Sequence, residues 1–188
     1  MARVVPTVAS ISDRSHYEFY AGGVGDEAQW VRGNVSAAAP LLNWTNHTGV
    51  VTMSYFHGLR KYVMVVSTVS VYPFTNRAFD TYFLESDSIT GPWSYITYMR
   101  SFGPEAYFVN HPTKFLAKQA DTVAQTFTAF LMYSANFACC SGVPARPPNS
   151  GYHMNLQAAR FNLSSAFSQR LAATYAAVSD DNHHREQI

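Results

Sequence analysis

Residues Gly49–Met99 read GVVTMSYFHGLRKYVMVVSTVSVYPFTNRAFDTYFLESDSITGPWSYITYM. Four runs rich in β-branched and aromatic residues are separated here by turn residues, the pattern of short antiparallel strands. Gly49–Phe56 predicts a first strand, and His57-Gly58 a tight turn. Leu59–Val71 predicts a second strand, with Tyr62, Met64 and Val66 on one face. Phe79–Glu85 predicts a third; Gly91-Pro92 turns the chain into a fourth, Trp93–Met99. Four antiparallel strands within roughly 50 residues are the unit of a β-propeller blade.

The same order restarts downstream. Val109–Leu116 predicts a first strand, Phe127–Ser134 a second and Tyr152–Leu163 a third. Upstream, Tyr17–Tyr20 with Gly22-Gly23 and Trp30 reads as the last two strands of a preceding blade, with Trp30 in the place of Trp93. The expectation is an all-β chain of antiparallel propeller blades over residues 1–163, about two and a half of them, followed by a helical or disordered tail over 164–188. Blades bury both faces against their neighbours, which explains the near-continuous apolar strands. Propellers close with about four to eight blades. Fewer leave a flat apolar face exposed at each end, so missing N-terminal blades or self-association is expected.

Composition agrees with strands. The 188 residues include 12 Tyr and 13 Phe, and only 13% are charged, against roughly 25% in ordinary soluble domains. The net charge of +1 and the absence of a basic run exclude a phosphate-backbone footprint, and with it a nucleic-acid partner. The most apolar stretch, Tyr62–Tyr72, is interrupted by Ser67, Thr68 and Ser70 and is too short for a membrane span. MARVVPTVAS is a poor signal peptide: either the protein is not secreted or the chain begins downstream of the true start. Asn34, Asn43, Asn46 and Asn162 open Asn-x-Ser/Thr acceptors, a mild excess over the about two that chance gives; glycosylation in an extracellular setting is the expectation, and sequons that are never used are the competing reading. Cys139 and Cys140 have no second pair for zinc; a strained vicinal bridge, two thiols or a bridge to another chain stay open.

Ser164–Val178 changes character. Phe167, Leu171, Tyr175 and Val178 share a helical face, and Ser164 or Ser165 suits the cap. Asp180–Ile188 reads as a frayed tail, its His183 and His184 solvated rather than metal-binding.

Glu85–Ser94 (ESDSITGPWS) resembles the strand end of five-bladed propellers related to glycoside hydrolase family 43, and also an uncharacterised relative, the DUF4185-type domain. Tyr55–Met64 is similar to that group's Leu-x-x-Tyr hairpin, and Asn110-His111-Pro112 and Tyr133–Asn136 resemble the opening strands of its closing blade. The likeness covers about Tyr17–Leu163 and departs from the sialidase Asp-box, with Ser88 where the Asp belongs. It implies a partial five-bladed propeller acting on carbohydrate by inverting hydrolysis, with an Asp base from an early blade and a Glu acid from a middle one. Inversion needs two carboxyls roughly 6.5–9.5 Å apart. No carboxylate of this chain matches the family's base.

The candidate acids are Glu18, within the aromatic run Tyr17–Tyr20, and Glu105, after Gly103-Pro104. Rings around Glu18 would raise its pKa as a general acid needs; an outward-facing strand carboxylate is the competing reading, as a solvated loop is for Glu105. Asp87 reads as an acceptor of turn N–H groups, and Asp26 and Glu27 as exposed. His111 begins an inner strand and is either a buried hydrogen-bonded histidine or, as the resemblance implies, an axial group that orients a sugar or holds a channel ion. Trp44 and Tyr55 complete the ligand-binding candidates, whereas Trp30 and Trp93 read as packing anchors. No cofactor or protein-held metal is expected. The functions weighed are a glycoside hydrolase-like protein, a non-catalytic carbohydrate-binding or adhesion propeller, and an incomplete product without independent function.

Overall fold

In the computed structural model of the protein, residues 1–45, 48–69, 78–104, 106–136 and 152–185 are described. They form three separate antiparallel sheets and one long helix; among the described residues no ring of blades closes.

The first sheet joins β1 (Ala2–Arg3), β2 (Glu18–Gly22) and β3 (Gln29–Arg32), with a five-residue helix α1 (Val8–Ser12) between β1 and β2. Tyr20 is its buried residue, edge-on to Trp30 at 5.9 Å. The chain then runs over the second sheet, where Leu41 and Leu42 pack on Met64, Val66 and Leu84.

The second sheet is the four-stranded meander expected from Gly49–Met99: β4 (Val50–Phe56), β5 (Lys61–Val69), β6 (Ala78–Ser86) and β7 (Ser94–Pro104), in that order. β5 shows why the run is apolar throughout. Val63 and Val65 face the third sheet while Met64 and Val66 face Leu41 and Leu42, and all four are at most 2% exposed. The turn into β5 spans His57–Arg60, longer than the His57-Gly58 pair read from sequence, because Leu59 and Arg60 N–H groups return to the carbonyls of Phe56 and His57. Gly58 is required by space: a Cβ there would stand 2.7 Å from a Phe127 ring carbon.

The third sheet has the order β10 (Tyr152–Asn162), β9 (Thr126–Asn136), β8 (Tyr107–Asn110). The expected first strand Val109–Leu116 is thus mostly not a strand. Pro112 has no N–H for a ladder, and Thr113–Phe115 winds into a 3₁₀ turn instead. Phe127, Ala129 and Leu131 of β9 are buried against the second sheet. On the opposite face of the third sheet, among the described residues, Phe108, Met154 and Leu156 are 61%, 78% and 49% exposed.

α2 runs Ser165–Arg185, so the segment from Asp180 to Arg185 is helical rather than frayed. Its Leu171 is buried with Phe56, Leu59, Val63 and Phe127, and Phe167 and Tyr175 flank that cluster. No helix among the described residues is long and apolar enough to cross a membrane. Residues Cys139 and Cys140 lie outside the described segments.

Candidate functional site

The second and third sheets meet at one side and part at the other. Where they meet, β4 hydroxyls reach carbonyls of β8 and of the residue just after it: Thr52 Oγ1 donates to Val109 O and Ser54 Oγ to His111 O, each at 2.6 Å, so His111 follows a strand rather than beginning one. On the far side β7 and β10 are edge strands. Three adjoining clefts run from the β6–β7 turn into that opening.

The first, about 400 Å³, is polar: Asp26, Lys61, Glu85, Asp87, Ser88 and Ser94 line it. Its wall is the β6–β7 turn. Ser86 Oγ accepts from Ser88 N at 3.1 Å and Ser88 Oγ from Thr90 N at 3.3 Å, so serines satisfy the turn in place of Asp87. Asp87, 85% exposed, pairs with Lys61 Nζ at 2.9 Å. Gly91 closes the turn at φ 87°, a conformation a side chain would strain, with Trp93 Cδ1 only 3.0 Å from where a Cβ would sit.

The second cleft, about 320 Å³, shares Lys61 and Glu85 with the first and adds Tyr95, Asn162, Phe167 and Arg170. Lys61 Nζ lies 5.7 Å and the Arg170 guanidinium carbon 5.6 Å from the Phe167 ring centre. The third, about 430 Å³, shares Ile96, Phe161 and Asn162 with the second and is mixed, with Phe83, Leu131 and His111 on its wall beside Thr97, Gln157 and Arg160.

His111 is 2% exposed and ringed by Phe56, Phe83 and Phe161 at centroid distances of 5.1, 6.0 and 5.6 Å. Its Nδ1 lies 3.0 Å from Phe130 O. A carbonyl oxygen only accepts, so Nδ1 carries the proton. Burial among rings lowers the pKa to about 4, so the ring is neutral at pH 7 and Nε2 is a bare acceptor. Nε2 is buried and has no hydrogen-bonding partner among the described residues.

The other candidates from sequence fall elsewhere. Glu18 is partnered by charge: its carboxylate meets Arg3 Nε at 2.7 Å and the residue stands opposite Arg32 in the ladder. That ion pair removes the argument for Glu18 as an acid poised by apolar surroundings. Glu105 and Asn46 lie outside the described residues. Tyr55 contacts Tyr62 at 4.8 Å and Trp44 meets Tyr82 edge-on at 4.7 Å. Both pack on the sheet face that carries Met64 and Val66, opposite His111. Asn34, Asn43 and Asn162 are exposed; Asn162 stands in the groove, and Asn34 Oδ1 accepts from Ser36 N.

Lys61, Glu85 and Tyr95 were not singled out from sequence. The signal present was charge at the two ends of otherwise apolar strands, Lys61 opening β5 and Glu85 closing β6. Among the described residues no group of three His, Cys, Asp or Glu is placed to hold a metal ion. Comparison with protein-family models, curated proteins and solved structures finds no match.

Proposed function

We propose that this chain is a carbohydrate-binding module of propeller-blade construction, with an oligosaccharide lying in the groove between β7 and β10. The observation that carries the reading is the wall shared by two adjoining clefts: Lys61 and Glu85 stand between a carboxylate- and serine-lined recess and the exposed ring of Tyr95. Sugars offer alternating hydroxyls and C–H faces. Carboxylates, amides and ammonium groups pair with the first, and an aromatic ring covers the second. The blade reading is supported by the β4–β7 meander, and by inner strands β4 and β8 held together while outer strands β7 and β10 splay. Exposed acceptors at Asn34, Asn43 and Asn162 favour an extracellular setting.

A glycoside hydrolase-like activity is the second reading, favoured by Asp26, Glu85 and Asp87 lining one cleft. Titration calorimetry with a panel of neutral and acidic oligosaccharides, run beside an assay of aryl-glycoside turnover, separates the two. Binding without turnover, weakened about tenfold or more in Glu85→Ala and Tyr95→Ala, is the expected result. Turnover would establish the second reading. A folded chain that binds nothing in the panel would overturn both.

A further inference from the structure

Charge is unevenly distributed along the groove. At the β6–β7 turn the first cleft sets three carboxylates, Asp26, Glu85 and Asp87, against one ammonium, Lys61. The two clefts beyond it reverse that balance. Lys61, Arg160 and Arg170 line them, Glu85 is their carboxylate, and His111 is neutral. Lys61 Nζ is already engaged by Asp87 at 2.9 Å. Among the described residues, neither Arg160 nor Arg170 is paired with a carboxylate. Arg170 lies beside the ring of Phe167, at 5.6 Å, and the two clefts adjoin through Phe161 and Asn162. Arg160 and Asn162, two apart on β10, project from one side of the strand. A guanidinium carries five N–H donors and no acceptor, so this end of the groove is rich in cationic donors.

We infer that the oligosaccharide of this groove is acidic, a uronate-containing chain whose carboxylate lies at Arg160 and Arg170 and whose neutral hydroxyls face the β6–β7 turn. The inference rests on the carbohydrate reading and adds to it the charge and the direction of the sugar. A planar guanidinium meets a carboxylate with two parallel N–H donors, which a neutral hydroxymethyl group cannot match. Thr97, Gln157 and Asn162 line the same clefts with groups suited to the remaining hydroxyls. At the turn, Asp26 and Glu85 repel a carboxylate and accept from hydroxyls. The opposed charges of the two ends thus select one orientation of the chain and disfavour the reverse.

The test compares methyl β-glucuronide with methyl β-glucoside, and methyl β-galacturonide with methyl β-galactoside, on the whole chain. Within each pair a carboxylate replaces a hydroxymethyl group and nothing else changes. Nitrogen–proton NMR follows binding and reads the guanidinium Nε–H groups of Arg160 and Arg170 directly. At low salt the uronide of at least one pair is expected to bind about five- to tenfold more tightly than its neutral partner and to move the Arg170 Nε–H resonance. Added salt is expected to shrink that advantage. Arg170 is exposed, so Arg170→Gln spares the core; it is expected to abolish the advantage while the neutral glycoside binds as before. Neutral glycosides that bind the groove as tightly as their uronides would overturn the inference and leave the carbohydrate reading standing. If no glycoside, neutral or acidic, moves a resonance of the groove, both fail.

Discussion

The hydroxyl of Tyr175 donates to the carbonyl oxygen of Gly58, 117 residues away, and accepts from the N–H of Ala120 at 3.0 Å. One side chain of α2 thereby satisfies two loops, the turn between β4 and β5 and the segment leading to β9. Tyr175→Phe keeps the ring and strands both backbone groups. The expected loss is about 1–3 kcal/mol. Denaturant unfolding checks it, and a midpoint equal to the parent's would show that α2 does not secure those loops.

Gly58 serves the same junction by its lack of a side chain. In Gly58→Ala the added methyl would meet Phe127 Cε2 at 2.7 Å and Lys118 O at 2.9 Å. Backbone cannot yield as a flexible side chain can, so overpacking of about 1–3 kcal/mol is expected, read as a lowered thermal midpoint.

The pH dependence follows from His111. Its folded pKa, about 4, lies below the ordinary histidine value of 6.5. Between those values the unfolded chain binds a proton that the folded chain refuses, so stability rises with pH across that window. At and above pH 6.5 the stability is fully present; acidification toward pH 4 removes about 3 kcal/mol. His111→Leu is expected to flatten the slope of unfolding free energy between pH 4 and 6.5. An unchanged slope would mean the ring is protonated in the fold.

How far sequence reached can be argued from β5 and β8. β5 was legible because an uninterrupted run of Val63–Val66 has one reading, a strand covered on both faces. β8 was overextended because Pro112 and the 3₁₀ turn after it depend on local backbone geometry rather than periodicity. His111 drew notice as a lone imidazole before proline, and its enclosure by Phe56, Phe83 and Phe161 needed strands far apart in sequence to be brought together. The groove wall was not legible. Lys61 and Glu85 are about half a blade apart along the chain, and only the β5–β6 register, with Tyr62 opposite Ser86, makes them neighbours across one edge.

The exposed apolar residues of the third sheet give a further expectation. Met154 and Leu156 stand exposed on β10, two residues apart and therefore on one face. Met154→Lys with Leu156→Lys should leave the unfolding midpoint within about 0.5 kcal/mol of the parent and reduce binding of a hydrophobic dye to the native chain. A large loss of stability would show that this face is packed within the fold.

The proposed carbohydrate lies in the groove between β7 and β10. Backbone NMR shift mapping during titration with a bound oligosaccharide tests it most directly. Perturbations are expected to concentrate at Lys61, Glu85, Ser94, Tyr95 and Asn162. Perturbations centred instead on Trp44 and Tyr82, on the other face of the same sheet, would contradict it.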